Sequence, residues 1–188
     1  MFQRIIGGVA GFMLIISAAV ASDAPLTQDQ AQRFVDSLES VEALGKELKA
    51  DGKIDKMHIE MAPKAGETFK PFSKAVDTMK TAHPADYAKL GSAVKPHGFT
   101  QAAWGQTGDR VMVAYLAIKM EAENPQAMAQ MQAMDKSMLD MLPADMKAQF
   151  TQAMVMMETV KNAPDADKKT VAKVKDQLDA YMERQVKQ

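Results

Sequence analysis

Proline falls in this chain where helices begin. Pro71, Pro84, Pro143 and Pro164 each precede a stretch in which apolar side chains return every third or fourth residue, and Asn124-Pro125 closes one such stretch and opens the next. Proline suits the first helical turn, because the amide hydrogen it lacks would have no partner there. Inside a helix it would remove a hydrogen bond and clash with the preceding turn. Alternating apolar–polar runs are nearly absent, so the chain is confined to helices, and short connections between them favour antiparallel neighbours. The expected fold class is all-α: a single-domain antiparallel helical bundle of about six or seven helices.

The elements follow from local chemistry. Thr27-x-x-Gln30 has the form of a capping box, in which threonine accepts from the third amide and glutamine reaches back to the cap. Phe34, Leu38, Val41, Leu44 and Leu48 then keep one helical face, and Gly52 marks its end. Residues 51–70, broken by Pro63 and Gly66, read as an irregular connection. Pro71 opens a helix carrying Phe72, Val76 and Met79, and His83-Pro84 opens one carrying Tyr87, Leu90 and Val94 that closes near Pro96 and Gly98. Thr100 caps a longer helix whose expected core face is Trp104, Gly108, Val111, Tyr115, Ile118 and Ala122. After Pro164, one final helix is expected to turn Val171, Val174, Leu178 and Tyr181 inward.

The N-terminus predicts export. Arg4 supplies a positive start, residues 5–22 carry no charge, and Ala19-Val20-Ala21 is a small-x-small site with the first acid, Asp23, just beyond Ser22. The expectation is a signal peptide over 1–21 and a mature domain over 22–188 in a bacterial periplasm. Gly7, Gly8 and Gly11 argue against the alternative, a retained anchor helix, and no membrane span is expected after cleavage. The chain has no cysteine, which excludes a lipid-carrying thiol, a disulfide framework and a thiolate metal site. Loss of Arg4 with the signal takes the formal net charge from −1 to −2. That balance leaves no basic excess to neutralise phosphates, so nucleic acid is not an expected partner.

Two stretches carry candidate function. Nine methionines lie between Met128 and Met157, and Met128, Met131, Met134 and Met138 share a helical face. Methionine fills irregular apolar space, and core packing is the preferred reading. Thioethers are also soft ligands that select Cu(I), and flexible methionines suit a chaperone surface that repacks around clients. The second stretch, Trp104-Gly105-Gln106-Thr107-Gly108-Asp109-Arg110-Val111, sets two helix-disfavouring glycines beside an acid and a base. With Tyr115 a turn further on, it offers Trp104, Arg110 and Tyr115 as candidate binding residues, a pocket floor with Arg110 holding an anion. Close helix crossing, with Asp109 and Arg110 as a solvated or local ion pair, is the preferred reading, since glycine in a helix mostly serves packing.

Other motifs fail on inspection. Aligned on Gly52, a calcium loop would need carboxylates where Lys49 and His58 stand. His58, His83 and His97 are too dispersed for metal-ligand spacing. No nucleophile elbow, zinc-protease helix or phosphate loop is present, and no carboxylate sits isolated in an apolar run where burial would raise its pKa. Neither an enzyme nor a cofactor is expected. Leu26-Thr27-x-x-Gln30 resembles the Leu-Thr-x-x-Gln motif of the Spy and CpxP type of periplasmic chaperone, which is helical, methionine-containing and exported. The resemblance covers five residues, and that family's second copy has no counterpart, because Leu142-Pro143-Ala144-Asp145-Met146 lacks both threonine and glutamine. No family membership is read from it. The expected function is a non-catalytic periplasmic binding or envelope-support protein with another protein as its partner; methionine-based Cu(I) handling and an ATP-independent chaperone are the alternatives.

Overall fold

The computed structural model of the chain describes residues 24–54, 67–123 and 143–187. The signal segment, the middle of the 51–70 connection, and Met128, Met131, Met134 and Met138 lie outside the described residues. Among those described there are seven α-helices and no strand: α1 (Gln28–Ala50), α2 (Pro71–Ala82), α3 (Pro84–Val94), α4 (Gln101–Glu123), α5 (Ala144–Lys161), α6 (Asp165–Val171) and α7 (Lys175–Val186), with one 3-10 turn at Lys95–His97. The all-α bundle read from the proline punctuation is the fold.

Helix boundaries follow the cap chemistry. At the start of α1 the Thr27 hydroxyl accepts from Gln30 N at 3.2 Å, and the Gln30 side-chain oxygen accepts from Thr27 N at 3.0 Å. At its end Gly52 takes φ +63°, so that its amide bonds Lys49 O and the Lys53 amide bonds Leu48 O. That pair of bonds is the Schellman closure, which needs a left-handed residue and therefore favours glycine. Thr100 caps α4 as expected, its hydroxyl accepting from Ala103 N at 3.2 Å. The last helix differs from expectation. Residues 172–174 form a turn that separates α6 from α7. Val171, Val174 and Leu178 are all buried, and the turn re-aims the chain so that each meets the same core.

One apolar core draws on α1, α2, α3, α4, α6 and α7. At its centre three rings close on one another: Phe34 and Phe72 edge-to-face at 5.6 Å, Phe72 and Trp104 edge-to-face at 5.5 Å, and Phe34 and Trp104 tilted at 5.6 Å. The Trp104 indole donates to Ser37 Oγ at 2.8 Å, and Ser37 in turn donates to Phe34 O at 2.6 Å, so the polar atoms inside the cluster are partnered. The helix α4 is the axis of this arrangement. Its expected one-sided face is too narrow: Thr107, Asp109, Ala114 and Ala117 are buried as well, whereas Ala122 is exposed, because other helices cover α4 on several sides. A second, small cluster (Ala117, Val160 and Ala163) joins α5 to α4. No helix among the described residues is long and apolar enough to cross a membrane.

Candidate functional site

The glycine-flanked stretch of α4 does three things at once. Gly105 and Gly108 admit α2 and the rings. A Cβ at Gly105 would lie 3.2 Å from Ser73 Cα and 3.3 Å from Phe72 O, and one at Gly108 would lie 2.8 Å from atoms of both Phe34 and Phe72. Close crossing is thus the reason for these glycines.

Asp109 then caps a helix that is not its own. The residue before α2 is Lys70, which supplies no side-chain acceptor. Asp109 Oδ1 accepts from Phe72 N at 2.7 Å, and its Oδ2 accepts from Ser73 N at 3.2 Å. A carboxylate there satisfies two of the amides left open at a helix start and meets the positive end of the helix. Burial nevertheless pushes the Asp109 carboxyl above the usual carboxylate range, against the opposing pull of the Ser73 and Phe72 bonds and of the Lys70 charge. The sequence gives no sign of this, since the desolvation comes from α2 rather than from an apolar run around Asp109.

Arg110 holds an anion that belongs to the protein. Its Nε donates to Asp167 Oδ2 and its Nη2 to Asp167 Oδ1, both at 2.8 Å, while Nη1 donates to Ala24 O at 2.9 Å. Asp167 is 1% exposed and also accepts from Leu26 N at 2.8 Å. The two-pronged geometry is the strong form of the guanidinium–carboxylate pair. It ties the segment before α1 to α4 and α6. Nothing in the sequence singles out Asp167, which there belongs to the capping punctuation after Pro164.

Beside this pair lies a cleft of about 460 Å³. Its walls are residues 67–70, Asp109, Arg110 and Val113 of α4, Val155, Glu158 and Thr159 of α5, and the turn from Asn162 to Pro164 with Asp167 beyond it. Phe69, Val113, Val155 and Ala163 make the apolar lining. Of the three candidate binding residues, Arg110 alone faces this cleft. Trp104 is buried among the rings, and Tyr115 is buried with its hydroxyl donating to Asp179 Oδ1 at 2.6 Å. Asp179 also accepts from Lys175 Nζ at 2.5 Å, and these two bonds hold its carboxyl below the usual range.

The histidines stand apart. His83 joins α2 to α3, and the His97 ring meets Ser40 Oγ at 3.4 Å, while His58 lies outside the described residues. Among the described residues no group of three or more histidine and acidic side chains is placed to hold a metal ion.

Fold and site together define a class, an all-helical domain with a lateral, apolar-walled cleft. Comparison with family models, curated proteins and solved structures found no match to this chain.

Proposed function

We propose that this chain is an exported, non-catalytic binding protein of the periplasm, and that the cleft between α4, α5 and residues 67–70 is where its ligand sits. One observation carries the reading: a concavity of about 460 Å³ with an apolar lining lies between α4, α5 and residues 67–70, beside the small cluster that joins α5 to α4. That volume falls in the usual range for small-molecule sites, roughly 300–1,000 Å³. A non-catalytic role is supported by what the ionisable groups at its base already do. Asp109 caps α2, and Arg110 and Asp167 bind each other, so each is occupied in holding helices together.

The naphthyl alcohol 2-(1-naphthyl)ethanol, a neutral probe of suitable size, tests the site by calorimetric titration. Wild-type protein should bind it, and Val113→Trp, which fills the cleft, should abolish binding while the denaturant melt shows the main core intact. Absence of binding to wild type, or equal binding to both proteins, defeats the proposal. Export has its own check: the periplasmic species should have the mass of a chain beginning at Ser22.

A further inference from the structure

The cleft carries a charge preference that its apolar lining does not announce. Glu67, Asp109, Glu158 and Asp167 line it against Lys70 and Arg110. The two bases are not equivalent. Arg110 is neutralised by its two hydrogen bonds to Asp167, and its Nη1 is spent on Ala24 O. Glu67 likewise has its own partner in Lys74, at 2.6 Å, which leaves Asp109 and Glu158 against Lys70, two acids to one base, in a chain whose whole formal charge is −1. Both Asp109 oxygens point at the start of α2. Glu158 stands exposed on the last turn of α5, where the helix presents its negative end.

We infer that the cleft takes an amphipathic cation, its apolar body on Phe69, Val113 and Val155 and its ammonium or guanidinium group beside Glu158. This rests on the cleft being the ligand seat. A negative ligand would meet the acidic excess and a buried Asp109 that already bears the cost of ionising out of water. A positive one offsets both.

Three probes with one apolar body separate the possibilities: 2-(1-naphthyl)ethylammonium, 2-(1-naphthyl)ethanol and 1-naphthylacetate, titrated calorimetrically into the whole protein. The ammonium should bind about tenfold tighter than the carboxylate, with the alcohol between, an ordering set by charge complementarity. Glu158→Gln, a change at an exposed position, should bring the ammonium to within about twofold of the alcohol and leave the alcohol unchanged. An alcohol as tight as the ammonium, or a carboxylate tighter than either, overturns the charge preference and leaves the cleft as the seat. An ammonium advantage that survives Glu158→Gln overturns the role of that residue. If none of the three binds, the cleft is not a ligand site and both readings fall.

Discussion

The helices α4 and α5 differ in how they are held, although both are long and rich in apolar residues. Along α4, Trp104, Val111, Ala114 and Tyr115 are buried in the main core, and Asp109 and Arg110 add polar ties to α2 and α6. Among the described side chains of α5, only Val160 is buried. Phe150, Met154, Val155, Met156 and Met157 are half-buried, and Met146 is 52% exposed. Where stability comes from burial, the first helix is structural, whereas the described side chains of the second meet a buried cluster only at Val160. The cleft opens at the boundary between them. A cleft with one wall fixed and one wall lightly held can adjust its width at little cost, since weakly packed elements open at lower free energy than the core.

The largest test of this contrast is Trp104→Ala. It removes a buried ring from a three-ring cluster and leaves Ser37 without its indole donor. The expected loss is about 3–5 kcal/mol in denaturant unfolding, as for other buried large aromatics. A loss below about 1 kcal/mol would show that the rings are not the centre of the core.

Next is Arg110→Ala. It strands the carboxylate of Asp167 in a site 1% exposed, and uncompensated buried charge costs about 3–5 kcal/mol. The Arg110 side chain is 34% exposed, so solvent softens the effect, and about 2–4 kcal/mol is expected. A neutral result, measured by the same melt, would make the pair a surface contact and leave the docking of α6 to its buried apolar residue, Val171.

Two glycine substitutions sharpen the picture with opposite signs. Gly108→Ala places a Cβ 2.8 Å from two aromatic rings and should destabilise by roughly 1–3 kcal/mol, as overpacking does. Gly45→Ala, on α1, meets nothing within 4 Å and should stabilise by about 0.5–1 kcal/mol through helix propensity. Equal effects of the two would mean that α4 is not closely crossed.

The carboxylates divide in the same way. Asp109 should titrate above the ordinary aspartate value, because desolvation dominates, and Asp179 below it, because Lys175 and Tyr115 bond its charged form. The signs of the linked stability are opposite. A raised folded pKa means the native state holds the proton more tightly than the unfolded chain, so the Asp109 contribution improves as pH falls through the interval between the unfolded and folded values. For Asp179 the stabilisation is present above the unfolded value and is lost as pH falls through its depressed folded pKa. Carboxyl NMR titration of both residues decides it. An Asp109 midpoint at or below the ordinary value would mean that the Phe72 and Ser73 bonds and the Lys70 charge outweigh desolvation.

What could be read from the sequence follows from the range of the interactions. Caps, the Gly52 closure and the Phe34–Leu38–Leu44–Leu48 face depend on residues three or four apart, and local pattern is enough for those. The break between α6 and α7 is invisible to that pattern because neither glycine nor proline marks residues 172–174; the turn there is imposed by burial of Val171 and Val174. In the candidate site, the density of Gly105, Gly108, Asp109 and Arg110 points to the right turn of α4. The roles do not follow from it, because Asp109 acts on an α2 start 37 residues away and Arg110 on an Asp167 57 residues away. Val155 and Glu158, the α5 side of the cleft, carry no motif at all.

The smallest expected effect bears most directly on α5. Met157 has the size and apolarity of a core residue but is only half-buried. Met157→Ala should therefore cost less than about 1 kcal/mol, whereas a fully buried methionine typically costs about 2–5 kcal/mol. Met79→Ala on α2 supplies the internal control, because Met79 is buried in the main core and should fall in the larger range. Hydrogen exchange on the same proteins adds a second readout: α5 amides should exchange ahead of those in the middle of α4, and Met157→Ala should speed α5 without altering α4. If Met157→Ala costs as much as Met79→Ala and the two helices exchange together, α5 belongs to the same cooperative unit as α4. The cleft would then have two fixed walls, and selection of its ligand would depend on shape as strictly as on charge.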